Sequence, residues 1–234
     1  KPLDLKSFRM IMETINLGHY YKGEKKKIIT AWTIISSEKN INYIMQSQLR
    51  FYSTNPEIFS YFHGYDFKVL NDDEEINMNL IQPYLNHVLE VICNHNEELF
   101  QYILNWISFV FQNPNGKTRI VLVIIGEEGT GKNMFTDPLC RLLGEYANQN
   151  INKLDDVVGK FNSALENKKL LICNELSSVD TNKFLNPDVL KTVITEQFIT
   201  INEKNIPQHI NEIPCNLIMI SNHSIPITMS QNDR

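Results

Sequence analysis

Between Arg119 and Asn133 the chain passes from an unbroken apolar, β-branched run, Ile120 to Ile125, into a glycine-rich turn that ends in lysine. The run predicts a strand buried on both faces, and Met134 to Leu143 reads as a helix, so the local order is strand, loop, helix. Downstream, shorter apolar runs alternate with helical patterns. Lys169 to Cys173 and Cys215 to Ile220 predict further buried strands, and Pro187 to Ile194 predicts a helix. Phe198 to Asn202 and Gln208 to Asn211 can pair as a hairpin around Glu203-Lys204-Asn205-Ile206-Pro207. This alternation predicts an α/β fold with a mainly parallel sheet.

Upstream the period changes. Ile81, Leu85, Val88, Leu89 and Ile92 recur at helical spacing, with Pro83 expected in the first turn, where a missing N–H costs nothing. Leu99, Ile103, Trp106 and Val110 carry the apolar face of a second helix, which Asn113-Pro114-Asn115-Gly116 ends. Residues 76 to 112 therefore read as a helical hairpin beside the strand–loop–helix segment. The acidic run Asn71-Asp72-Asp73-Glu74-Glu75 interrupts the hydrophobic pattern as a surface linker would. Residues 1 to 70 lack one dominant period; a helix from Leu5 to Leu17 and an aromatic-rich stretch from Phe51 to Phe67 are their main features. The expected organisation is an N-terminal segment (1–70), a collar-like helical hairpin (71–117) and an α/β core (118–234). The missing initial methionine and the stop at Arg234 in mid-pattern suggest a piece of a longer protein, with the core cut at its C-terminal end.

Composition narrows the class without naming it. A chain of 234 residues with 42% hydrophobic content can build one large or two smaller soluble domains. No apolar stretch approaches the roughly 18 residues that span a bilayer, and Lys1 to Phe8 lacks a signal-peptide pattern, so a soluble intracellular protein is expected. Cys93, Cys140, Cys173 and Cys215 are far apart in apolar segments and read as buried free thiols. Cys93 with His87 and His95 offers only a weak metal alternative, because helix-spaced core residues surround them. The net charge of −5 argues against a broadly basic surface for nucleic acid without excluding a local one. Lys25-Lys26-Lys27 reads first as a solvated face and second as a phosphate-contacting patch.

The loop carries the chemistry. Gly126, Gly129 and Gly131 permit tight turns that aim backbone N–H groups at phosphate oxygens, and the following helix adds its N-terminal partial charge. Lys132 is then expected to reach the β- and γ-phosphates of a nucleotide, with Glu127, Glu128, Thr130 and Asn133 completing the binding loop. The lesser reading is a glycine turn with an incidental lysine. Asn133 stands where a hydroxyl usually ligates Mg²⁺, an ion that tolerates little distortion from octahedral geometry. Leu170 to Glu175 is an apolar strand ending in Asn174 and a carboxylate. Glu175 there is expected to polarise the attacking water and, with Asn133, to help hold the metal. Asn222, at the end of the strand beginning near Cys215, is a candidate to sense the γ-phosphate; alone it is as readily a turn former. About 90 residues separate Lys132 from Asn222, with Glu175 between them, and that compact order carries more than any one segment.

Taken in series, Gly126-Glu127-Glu128-Gly129-Thr130-Gly131-Lys132-Asn133, Gly159-Lys160-Phe161-Asn162, Leu171 to Glu175, Leu190 to Thr195 and Ile218 to His223 resemble superfamily 3 helicases. The nearest branch is the poxvirus-type primase-helicase group of large DNA viruses, phages and mobile elements. The resemblance covers residues from about 80 to 234 and implies an AAA+-like P-loop core, a homo-hexameric ring around single-stranded or forked DNA, and ATP- and Mg²⁺-dependent unwinding with 3′ to 5′ polarity. It implies that Glu175 is the catalytic carboxylate and Asn222 the sensor, and that Ile199 to Asn211 is a channel hairpin whose Lys204 contacts the DNA backbone; a merely solvated Lys204 is an even alternative. Asn232-Asp233-Arg234 is similar to the start of the family's arginine-bearing motif, in which an arginine reaches a neighbouring subunit's γ-phosphate. Other replication proteins are expected partners, and the host cytoplasm or a viral replication site the expected location. The alternative to this replicative helicase is a nucleotide-binding scaffold with little turnover, which the amides at 133 and 174 favour slightly. A small-molecule kinase is more distant, since no acceptor-binding element can be named.

Overall fold

The structure is a computed structural model that describes residues 9–10, 13–14, 16–22, 25–30, 49–55, 58–67, 70–71, 74–174 and 187–222. Glu175 and Arg234 lie outside the described residues, as do Asp72, Asp73 and His223. Two compact units divide the chain, Lys1–Gln46 and Ser47–Arg234.

In the first unit, β1 (Asn16–Lys22) pairs antiparallel with β2 (Lys25–Thr30), Tyr21 facing Lys26 and Lys22 facing Lys25. Residues 9–10 and 13–14 are helical as expected of the helix from Leu5, and only its end at Leu17 is corrected. Gly18 is a poor helix former and Tyr20 and Tyr21 favour a pleated strand, so strand pairing takes over from Asn16. The lysine run lies on β2, where Lys27 is exposed.

The second unit begins with a short parallel pair, β3 (Leu49–Arg50) and β4 (Phe59–Ser60), and is built on a larger parallel sheet. β5 (Val121–Ile125), β6 (Ala147–Ile151), β7 (Leu170–Cys173) and β10 (Asn216–Ser221) form four strands in the order β5-β10-β7-β6. Alternation along the central strands loads both faces. Leu171, Cys173, Leu217 and Met219 enter one core, whereas Leu170, Ile172, Ile218 and Ile220 enter the other. Helices α1 (Met78–His87), α2 (Glu97–Gln112) and α3 (Lys132–Leu143) supply residues to the second core; α4 (Asp155–Val158), α5 (Pro187–Thr195) and the antiparallel hairpin of β8 (Phe198–Ile201) and β9 (His209–Glu212) supply the first. The result is a mixed α/β fold. No helix among the described residues is long and apolar enough to cross a membrane.

Several local expectations change. β5 is not buried on both faces: among the described strands it pairs only with β10, and Val123 and Ile125 are 44% and 49% exposed. Asn77 caps α1 through Asn79 N–H, so Pro83 falls in the second turn rather than the first, and the helix passes into a π-helical turn, Val88–Ile92. Leu99 is exposed in the first turn of α2, while Ile103, Trp106 and Val110 are buried as their spacing predicts. The aromatic stretch belongs with the second unit. Phe51 and Phe62 stack 5.7 Å apart around Tyr146, and Tyr65 Oη donates to Phe111 O at 2.8 Å, so its packing ignores the linker at 71–75.

At the end of the sheet where β7 and β10 begin, buried polar groups tie strands to loops. Lys169, 1% exposed, donates to Asn113 O and Gly116 O, both at 2.6 Å. Lys117 donates to Val193 O at 2.7 Å and to Glu196 O. Burial lowers Lys169 to about 7 and Lys117 to about 8. Asn216 accepts from Thr118 N–H at 2.8 Å and donates to Pro214 O at 3.1 Å. The cysteines are buried free thiols, and burial pushes Cys173 and Cys215 up to about 12.

Candidate functional site

At the opposite end of the sheet, β5 delivers the glycine loop into α3. Gly126 N–H donates to Ser221 O at 3.2 Å, fastening the loop to the end of β10. Gly129 and Gly131 take φ values of +78° and +85°, which only glycine adopts freely. Thr130 Oγ1 donates to Glu127 O at 2.8 Å, and Lys132 Nζ donates to Gly126 O and Glu127 O, both at 2.6 Å. The Lys132 ammonium is thus folded over the loop, at the first residue of α3.

A cleft of about 630 Å³ opens beside the loop, lined on one side by Glu128 to Met134 and on the other by Asn152, Asn174, Ile220 and Asn222. The sequence-predicted Lys132, Asn133 and Asn222 share this cleft, with Glu128, Gly129, Thr130 and Gly131. Asn174 lines it too. Its backbone N–H donates to Ile151 O at 2.8 Å and its Nδ2 to Gln149 O at 2.7 Å, so it clamps β7 to β6 and keeps Oδ1 as an acceptor. The cleft volume lies within the range of small-molecule sites. Glu127 is exposed on the loop, outside the cleft lining.

Lys204 is not in the cleft. It is exposed at the tip of the β8–β9 hairpin, next to Asn205 at φ +64°. The turn end of β8 is held from outside the hairpin: Asn162 Oδ1 accepts from Asn202 N–H at 2.8 Å, its Nδ2 donates to Thr200 O at 3.0 Å, and Asn202 Nδ2 donates to Lys160 O at 2.8 Å. Asn162 is therefore a hairpin staple. It sets Lys160 and the 47% exposed Phe161 beside the hairpin, the lysine 5.6 Å from the ring centroid. His209 bonds Glu166 at 2.8 Å and strengthens the same junction.

Sequence reasoning missed Asn152, and named His87 only in the weak metal alternative with Cys93 and His95. His87 Nε2 meets Gly131 O at 3.0 Å; the one available signal was its place with Tyr84 and Val88 on a single edge of α1. No group of three or more His, Cys, Asp or Glu residues able to hold a metal occurs among the described residues.

Residues 124–234 match DUF5906, a family of unknown function. Over 153 residues the chain is 31% identical to the DNA primase-polymerase of Nitratiruptor phage NrS-1, covering 62% of this chain and 21% of that protein. The chain is homologous to that segment and spans about a fifth of the relative's length. An apo structure of the NrS-1 C-terminal region superposes with a TM-score of 0.68 at 23% identity, over 92% of this chain and 54% of that one. A second apo form, aligned over 64% of this chain and 34% of that one, gives 0.52 at 28% identity.

Proposed function

We propose that this chain is the nucleoside-triphosphatase core of a phage-type DNA-replication protein, an ATP-driven helicase of the superfamily 3 kind. The observation that carries the reading is the strand–loop–helix turn whose glycines and Lys132 open on a cleft lined by the strand-end residues Asn174 and Asn222. The strand order supports it: β10 lies between β5 and β7, which brings Asn222 between the loop and the strand end that leads to Glu175. The relationship to a phage primase-polymerase supports a role in replication.

In this reading the loop N–H groups and the N-terminus of α3 receive the phosphates. Lys132 gives up one of its loop carbonyls to meet a β- or γ-oxygen. When bound, Mg²⁺ would neutralise the charge that develops on the phosphates. Asn133, exposed on the cleft wall, and Glu175 would hold it. Glu175 takes the proton of the attacking water, Asn222 reads the γ-phosphate, and Arg234 acts across a subunit boundary. The ring is a hexamer moving 3′ to 5′ on DNA, with the β8–β9 hairpin and Lys204 toward the strand.

A scaffold that binds ATP without turnover is the second reading, favoured by one observation: the cleft wall carries the neutral amides Asn133 and Asn174 at the loop and strand-end positions that would support a metal. Glu175→Gln separates the two. We expect it to preserve ATP binding and abolish phosphate release, including the release stimulated by single-stranded DNA, with oligomeric mass recorded in the same samples. A wild-type ring that binds ATP, releases no phosphate and is unchanged by Glu175→Gln would establish the scaffold.

A further inference from the structure

His87 belongs to a helix outside the strand–loop–helix segment, yet it holds the last peptide of the loop. The inner edge of α1 presents Tyr84, His87 and Val88 at helical spacing. Val88 is fully buried in the core that α3 shares. Tyr84 stacks on Phe135 at 6.4 Å with ring planes 4° apart and donates to Phe135 O at 3.0 Å. Between these anchors, His87 Nε2 stands 3.0 Å from Gly131 O. A carbonyl only accepts, so Nε2 carries the hydrogen.

Gly131 O also accepts from Met134 N–H at 3.0 Å, so both of its lone pairs are engaged. In a trans peptide the C=O and N–H point in opposite senses. Holding Gly131 O from below therefore directs the Lys132 N–H the other way, out of the free end of α3, where the cleft opens. His87 itself is not part of the cleft lining. Its ring also restricts what can stand at 131: a Cβ there would lie 2.8 Å from His87 Cε1, in addition to the strain of φ +85°.

We propose that His87 is a positioning residue of the nucleotide site: from α1 it fixes the Gly131–Lys132 peptide, so that affinity for a triphosphate depends on a side chain 44 residues upstream of the loop. The ligand named here rests on the nucleotide reading above; the anchoring of the loop does not.

The test compares His87→Phe, which fills the same space without a donor, with His87→Gln, which reaches a similar distance and restores an N–H. ATP affinity, the split between KM and kcat, and amide hydrogen exchange at residues 129–133 without nucleotide are measured in both. We expect His87→Phe to weaken ATP binding and raise KM about tenfold with kcat changed less than about twofold. Exchange in the loop should accelerate while α2 stays protected, and His87→Gln should recover most of both effects. Wild-type affinity and loop exchange in His87→Phe would overturn the proposal. So would a His87→Gln variant as defective as His87→Phe with protection lost along α1, the mark of packing alone. Should the wild-type protein bind no ATP, the nucleotide reading fails, and the exchange comparison still decides whether His87 anchors the loop.

Discussion

Both ends of the parallel sheet hold lysine ammonium groups on backbone carbonyls, and they use them differently. At the end where β7 begins, Lys169 is buried and Lys117 half-buried among loops, and burial pulls both well below the ordinary lysine value of 10.5. Even a neutral amine has two N–H groups and can serve both of its carbonyls, so these lysines are structural staples. At the other end Lys132 makes the same kind of bonds, to Gly126 O and Glu127 O, but on the wall of an open cleft and beside glycines held at positive φ. One set of bonds closes the fold. In the proposed function the other is exchanged for those of a ligand, and nothing in the residue type distinguishes them; the surroundings do.

Lys132→Ala should show the largest effect. Losing a charge-assisted phosphate contact costs about 1.5–3 kcal/mol, so ATP affinity should fall roughly 10- to 100-fold and hydrolysis further, with thermal stability almost unchanged. Lys169→Met should do the reverse. Asn113 O and Gly116 O lose a buried donor, which costs about 2 kcal/mol and lowers Tm by about 5 °C, while ATP affinity holds. Equal effects of the two variants on both readouts would erase the contrast between the ends.

A pH scan sharpens it. Because folding lowers Lys169 to about 7, the unfolded chain binds the extra proton between pH 7 and 10.5, so stability rises with pH in that window; Lys117 adds to the rise above about 8. Cys173 and Cys215, raised from 9.0 to about 12, work in the opposite sense above pH 9. From pH 7 to about 8.5 denaturant unfolding should therefore show a gain on the order of 1 kcal/mol, and Lys169→Met should flatten it.

How much of this was legible depended on distance along the chain. The loop, its glycines and Lys132 could be read because strand, turn and helix are contiguous and each has a strong local signature. β7 and β10 could be read from unbroken apolar runs. β6 could not: Asn148, Gln149 and Asn150 give it no apolar alternation, and it is a strand because β7 pairs with it. The exposed face of β5 was equally invisible, since an edge strand and a central one can share the same apolar run. Within the site, His87 and Asn162 act through contacts 44 and about 40 residues away in sequence, which no local pattern encodes.

Under the helicase proposal Lys204→Ala should have the smallest effect, because a hairpin-tip lysine would contribute one phosphate contact. ATP binding should be untouched, and the slope of log DNA affinity against log salt should flatten by about 1. An unchanged slope would remove Lys204 from the proposed DNA path.

The most direct measurement is a calorimetric titration of ATP with Mg²⁺ into the wild-type chain and into Lys132→Ala, both checked for intact folding. Saturable binding at one site per chain, lost or severely weakened in Lys132→Ala, is the predicted result. No binding by the folded wild-type chain, or equal binding by both, would contradict the assignment of the glycine-loop cleft as a nucleotide site.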